Sequence, residues 1–390
     1  MKLKFRVCAL VLVLILLAGG CGLSQEDFVP TTVLGDTLFD SGLLPIRMGD
    51  RWGYVNKTGE VQILPVYHQA RAFSENLAAV FSGTAWGYLN TEGEMKLEAQ
   101  YDEAGDFSMG RAAVRQGERW GYIDAKGKMK IEPQFEEAGK FTLDGVAVAK
   151  KDGKYGLINN TGKFVVQPEY DEMGPFAYGY AAVRMGDAWN FVDLRGQRLL
   201  DVSAEEVGNF SYNGLAAVKI GGLWGYVNQK GDIAIDWQFK DVQGFSVNNL
   251  AAVTMGDGWG YVNKDGRLVI PPQYDSAMPF AQGVAVVEQD GKFGLIDAAG
   301  EFIAKPVYDA MSGFMNSDRI RVEKDEKAGY LNGNGVDVIA LGFAEGCANY
   351  FYDDGFTVVK AGGKYGVINF AGQYVINPRF DEIGFANYEM

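Results

Sequence analysis

Paired carboxylates recur along this sequence at Asp102-Glu103, Glu136-Glu137, Asp171-Glu172 and Asp381-Glu382, with single acids at Asp275 and Asp309. Two carboxyl groups flanking a bond can serve as acid and base in glycoside hydrolysis, and clustered oxygens can hold Ca²⁺. The spacing argues against both. The acids recur in step, as at 102, 136 and 171, whereas catalysis needs one asymmetric site. The interleaved Asp/Gly pattern of a calcium loop is absent. A row of solvated acids along one rim is the expectation, with no catalytic, metal-binding or cofactor-binding residue assigned.

Other chemistry is thinly provided. His68 is the single histidine and lies where other copies of the pattern carry Asp, Glu or Lys. A zinc site needs several His or Cys ligands, and a nucleophilic triad needs a base, an orienter and a nucleophile to converge on it. No P-loop or dinucleotide fingerprint occurs, and "GNG" at 333–335 fills a turn. Repeated tyrosines at 54, 88, 122, 226 and 261 raise the possibility of sugar stacking. Central strands bury such residues, so core tyrosines with a hydroxyl reaching a rim partner are expected instead.

What positions these residues is a repeat. Aligned on the aromatic of "RWGYVN" (51–56), the register runs Trp52, Trp86, Trp120, Tyr155, Trp189, Trp224, Trp259, Phe293, Ala328 and Tyr365. Ten units of ~35 residues follow, the mark of a repeat architecture. Asn or Asp stands four residues after each anchor and Gly seven after it, from Asn56 and Gly59 to Asn369 and Gly372. An aromatic such as Tyr67 or Phe135 follows, and then a Phe, from Phe73 to Phe314, in eight units.

Each column has a local meaning. "WGYVN" and "GEVQILP" read as two strands joined by a turn in which Asn or Asp bonds the backbone and Gly takes positive φ. "AAVRQGERWGYI" reads as a second hairpin turning at Gly117. Each unit is then a three-stranded antiparallel meander. Its third strand alternates polar and apolar and often ends in Pro, which describes an outer edge. Its second strand is apolar on both faces, so the sheets must stack. The Gly after the Trp is expected to leave a hollow for a neighbouring sheet's aromatic. The linkers have room for one helical turn at most.

This pattern resembles the WG-repeat (KWG-type) family of bacterial proteins over about residues 39–390. The resemblance implies an all-β array of variable repeat number, often on secreted or membrane-attached proteins, and carries no catalytic site with it. Ten such units can form a propeller-like ring or an open β-superhelix (a solenoid), and variable repeat number favours the open form. Two units depart from the pattern. In the fifth, Asn190 follows Trp189 and Ala204 replaces the later aromatic; in the ninth, Ala328 is the anchor and the linker Phe is missing.

The N-terminus carries Lys2, Lys4 and Arg6, then an apolar run from Val7 to Leu17 that is short for a bilayer span. Leu17-Ala18-Gly19-Gly20-Cys21 resembles a bacterial lipoprotein lipobox, which implies cleavage before Cys21 and lipidation of its thiol. More than one acyl chain suffices for stable anchoring. The expected organisation is a signal peptide over 1–20, a lipidated Cys21 with a short tether to 38, and repeats over 39–390. Cys347 is then alone in the mature chain, leaving no internal disulfide. Removing the signal takes the net charge from −14 to −17. Such a surface repels nucleic acid and suits cationic partners. The sequence therefore predicts a non-enzymatic, lipid-anchored envelope protein on the extracytoplasmic face of a membrane. Its repeats would form a scaffold for another envelope protein or, alternatively, bind wall polysaccharide.

Overall fold

A computed structural model describes residues 37–256, 258–313, 319–343 and 351–384. Cys21 with its lipobox, Phe314 and Cys347 lie outside the described residues. Apart from one 3-10 turn at Asp40–Gly42, the regular elements described are strands. They form antiparallel sheets, one to each repeat. The chain divides into two compact units. One comprises Asp36–Phe176, Leu194–Gly196 and Tyr352–Met390, and holds the sheets of repeats 1–4 and 10; the other comprises Ala177–Asp193 and Gln197–Phe351, with the strands Ala181–Met185 and Ala188–Val192 of repeat 5 and the sheets of repeats 6–9.

Repeat 3 shows the common plan. Its strands are Ala112–Gln116, Arg119–Ile123 and Met129–Phe135, the expected meander. A fourth strand lies on the far edge, where Glu103 and Ala104 of the preceding linker pair with Arg115 and Val114. The linker thus continues as a two-residue strand rather than a helical turn. The three-stranded unit becomes a four-stranded propeller-type blade that takes one edge from the repeat before it. In repeat 1 the corresponding edge comes from the last repeat, where Glu382–Ile383 pairs with the strand Leu43–Met48. Asp354 tightens this junction by accepting hydrogen bonds from the amides of Leu38 and Phe39, each at 3.2 Å. The open superhelix favoured from repeat number is corrected by this pairing, because an open array keeps its first and last repeats apart.

The third strand forms the outer edge, as its alternation predicts. In Met95–Tyr101, Leu97 and Tyr101 are buried while Lys96, Glu98 and Gln100 face away from the core. The turn before it also has the expected chemistry. Asn56 Oδ1 accepts the amides of Thr58 at 3.0 Å and Glu60 at 2.9 Å, and Gly59 has φ +85°. In repeat 3 the turn glycine is Gly127, with φ +75° and a Cβ position only 2.8 Å from Leu97 Cδ2 of the previous blade. Gly127→Val is expected to cost about 1–3 kcal/mol, from a β-branched residue at positive φ, and more once Leu97 is displaced. A urea midpoint unchanged from wild type would refute the turn assignment.

The glycine of Trp-Gly-Tyr has a different role from the expected hollow. Trp120 pairs with Phe135 and Tyr122 with Ile131, so two steps along the second strand face four along the third. The third strand bulges over Gly121, where a Cβ would lie 2.5 Å from the Ile131 carbonyl oxygen and 2.8 Å from Pro133 N. The space is filled by the blade's own backbone, not by a neighbour's ring. The same approach recurs at Gly53, Gly87, Gly156, Gly225, Gly260, Gly294, Gly329 and Gly366.

The two divergent repeats follow from this geometry. In repeat 5, where Asn190 replaces the glycine, no regular third strand forms and only isolated bridges join Trp189 to Ala204 and Val192 to Arg198. The Asn190 side chain substitutes for a strand partner: its Nδ2 donates to the Leu200 carbonyl at 2.8 Å and its Oδ1 accepts the Leu200 amide at 3.0 Å. In repeat 9 the linker Phe is displaced in sequence rather than lost. Phe351 is fully buried and packs on Tyr330 with ring centroids 4.9 Å apart, the separation found for Tyr54–Phe73. The extra length of that repeat, 37 residues between anchors 328 and 365, accommodates the shift.

Candidate binding surface

The repeated tyrosines are structural. Tyr54, Tyr88, Tyr122, Tyr226 and Tyr261 are all buried in second strands. Each hydroxyl donates to a linker carbonyl seventeen residues on, from Tyr54 to Arg71 O at 2.7 Å through Tyr261 to Met278 O at 2.8 Å. That carbonyl belongs to a linker already paired with the next blade: Arg71 N donates to Ala79 O. The tyrosine therefore ties two blades together while its ring packs on the linker Phe, at 5.0 Å for Tyr88–Phe107. Burial pushes the phenol pKa of these residues up, which keeps each hydroxyl a donor at every physiological pH.

The linker carboxylates also have internal partners. The first acid accepts an amide from the next blade's hairpin turn: Asp102 from Gly117 at 2.6 Å, Glu136 from Gly153 at 3.0 Å, Glu205 from Gly222 at 3.1 Å and Asp381 from Gly49 at 2.8 Å. Several also meet a cation on the second strand's first residue, as in Arg119–Glu136 at 3.0 Å and Lys154–Asp171 at 2.5 Å. Lys292 pairs in the same way with Asp309, and Lys364 with Asp381. These bonds hold the carboxyls of Glu136, Asp309 and Asp381 below their usual range, with the Arg119, Lys292 and Lys364 hydrogen bonds as the leading causes. The second acid pairs with the first strand, as Glu103 with Arg115 at 2.6 Å and Glu137 with Lys150 at 2.9 Å.

The anchors complete this seam. Trp52, Trp86, Trp120, Tyr155, Trp224 and Phe293 are buried; Trp189, Trp259 and Tyr365 are half-buried. Lys150 Nζ lies 4.8 Å from the Tyr155 ring centroid and Lys219 Nζ 5.7 Å from that of Trp224, so one lysine contacts the anchor and the linker acid together. His68 is exposed and takes the linker-acid position, with its Nδ1 3.0 Å from the Ser82 carbonyl oxygen of the following hairpin. Among the described residues no three His, Cys, Asp or Glu side chains are placed to hold a metal ion.

The acidic surface is wider than expected: Asp102, Glu103, Glu137, Asp275 and Asp309 are exposed on the linkers, and further acids stand on the hairpin turns. Those turns lie between first and second strands, and their Asp50, Glu118, Asp152, Asp187, Asp290 and Asp325 are all exposed. A second exposed feature is a column twenty-three residues after the anchor, on the loop that precedes the first strand. Met109, Leu143, Tyr178, Tyr212 and Val247 occupy it and are 39–65% exposed. The sequence held this signal, since apolar residues recur there, but strand alternation says nothing of loop tips.

Comparison with known proteins agrees with the repeat. The family model for the WG containing repeat matches residues 52–83, 86–120, 120–155, 155–189, 205–224, 224–259, 259–293, 293–327 and 365–390. The two longest internal gaps fall on the irregular third strand of repeat 5 and on repeat 9. No curated protein matches by sequence. Among solved structures, one described as a eukaryotic initiation factor is 13% identical, with 88% of this chain and 97% of that one covered and a TM-score of 0.50. At that identity the likeness bears on the fold alone. AztD of Citrobacter koseri is 16% identical over 75% of this chain and 91% of its own, with a TM-score of 0.34. With its repeats matched over most of its length and the same glycine-over-bulge geometry in nine blades, this chain belongs to the WG containing repeat family.

Proposed function

We propose that the chain is a non-enzymatic binding scaffold of a bacterial cell envelope, tethered by lipid on Cys21 and presenting its repeats to a cationic protein. One observation supports this above others: the repeated tyrosines and linker acids are bonded within and between blades, while the acids of successive hairpin turns face outward. Exposed like charges in register attract a cationic partner through additive, screened Coulomb terms. No helix among the described residues is long and apolar enough to cross a membrane, and the proposed attachment is the acylated Cys21.

The test is a capture experiment from detergent-solubilised envelope with the full chain as bait. Capture of a discrete basic protein at low salt, weakened about tenfold or more at several hundred millimolar salt, is the expected result. Charge reversal of Glu118, Asp152 and Asp187 to Lys should reproduce the loss at low salt. In the same cells Cys21→Ser should move the protein out of the membrane fraction. Salt-independent capture that survives charge reversal would remove the acidic turns from the account, and a Cys21→Ser variant still sedimenting with membranes would remove the lipid.

A further inference from the structure

The column of exposed loop tips is not uniform. Within the unit holding the sheets of repeats 6–9, two consecutive tips are tyrosines, Tyr178 and Tyr212, at 39% and 46% exposure, and the next is Val247. Their loops are held by side-chain amides and by bonds to backbone carbonyls. Gln229 Nε2 donates to the Tyr178 carbonyl at 2.8 Å, and the Tyr180 hydroxyl donates to the Gln229 carbonyl at 2.7 Å. The same Gln229 side chain packs against the other loop, its Oε1 lying 3.4 Å from where a Cβ on Gly214 would stand. The Tyr212 hydroxyl donates to Val247 O at 2.6 Å, and Asn213 Nδ2 donates to Asn249 Oδ1 at 3.4 Å. Tyr178 is placed in the left-handed region, φ +51°, where an aromatic side chain is unfavourable.

The geometry points to a binding site for a neutral glycan chain formed by Tyr178, Tyr212, Asn213, Gln229 and Asn249. Each requirement of that ligand is present. A pyranose ring offers an apolar face of C–H groups and a periphery of hydroxyls. Exposed tyrosine rings supply the apolar platforms, at low entropic cost where the hydroxyl is tethered as in Tyr212. Side-chain amides carry both donors and acceptors, matching hydroxyls that do both. The hydrogen-bonded set contains no charged side chain, unlike the acidic hairpin turns, so it is unsuited to the cationic partner those turns attract. Spacing by successive blades suits an extended polymer more than a single sugar. Glu75, Met109, Leu143, Val247 and Gln282 stand at the same column in other repeats, so the paired tyrosines are local to these two loops.

The test is affinity electrophoresis of the full chain through native gels containing soluble β-glucan, xylan or dextran. At least one glycan should retard it, equally with and without 0.5 M salt, since the contacts are uncharged. Tyr178→Ala and Tyr212→Ala should each weaken retardation about tenfold, as for aromatic residues central to a binding surface. Tyr212→Phe should retain most of it, and Met109→Ala, at the same column elsewhere, should change nothing. Melting temperatures of all four variants report whether folding is intact. The proposal fails if none of the three glycans retards the chain, or if both alanine variants migrate as wild type. Loss of protein capture in those variants, with no glycan retarded, would also overturn it and make the loops a protein contact.

Discussion

Gly121→Ala is expected to lower stability by about 3 kcal/mol or more, although it adds a single methyl group. The added Cβ would meet the Ile131 carbonyl oxygen at 2.5 Å and Pro133 N at 2.8 Å. Both are backbone atoms of the outer strand, which cannot rotate away as a flexible side chain can. The strand must lift, and lifting it separates Ile131 and Phe135 from the core they share with Trp120 and Tyr122. The urea midpoint measures the effect. Repeat 5 supplies the counter-case. There the position is Asn190, whose amide holds Leu200 through two hydrogen bonds, so Asn190→Gly should destabilise by about 1–3 kcal/mol rather than restore the family pattern. A tolerated Gly121→Ala would mean that the outer strand does not press on the middle one.

Tyr88→Ala is expected to cost about 3–5 kcal/mol, and Tyr88→Phe about 1–3 kcal/mol. The ring is fully buried among Leu97, Tyr101 and Phe107, and its loss leaves a cavity between two blades. The hydroxyl bond to Gly105 O, at 2.7 Å, is buried, so the Phe variant strands a carbonyl without its donor. The two variants separate packing from clamping. Hydrogen exchange should show the Phe variant loosening chiefly at the linker amides near Gly105, while the Ala variant exposes both neighbouring blades. Equal costs for the two variants would show that the hydroxyl, not the ring, carries the tie between blades.

The period, the strands and the turns of this protein were legible in its sequence because they depend on local chemistry. Alternation marks the outer strand, Asn56 and Gly59 specify their turn whatever surrounds them, and an aromatic core strand demands stacking. The buried state of the repeated tyrosines followed from the same reasoning. Sequence alone did not place the linker acids on the next blade's hairpin turns, because Asp102 meets Gly117 only after the linker has joined a sheet fifteen residues further on. Nor did it place Glu382–Ile383 beside Leu43–Met48, a pairing between chain ends with no local signature. The glycine of Trp-Gly-Tyr could be read as necessary but not for the right cause, since the bulge that forbids a Cβ arises from pairing with another strand. Phe351 escaped the register by two residues and was recovered by the space beside Tyr330. Local conformational preference determined the elements. Non-local pairing, where backbone must approach backbone and every buried donor must find an acceptor, decided which residues hold the blades together and which remain exposed.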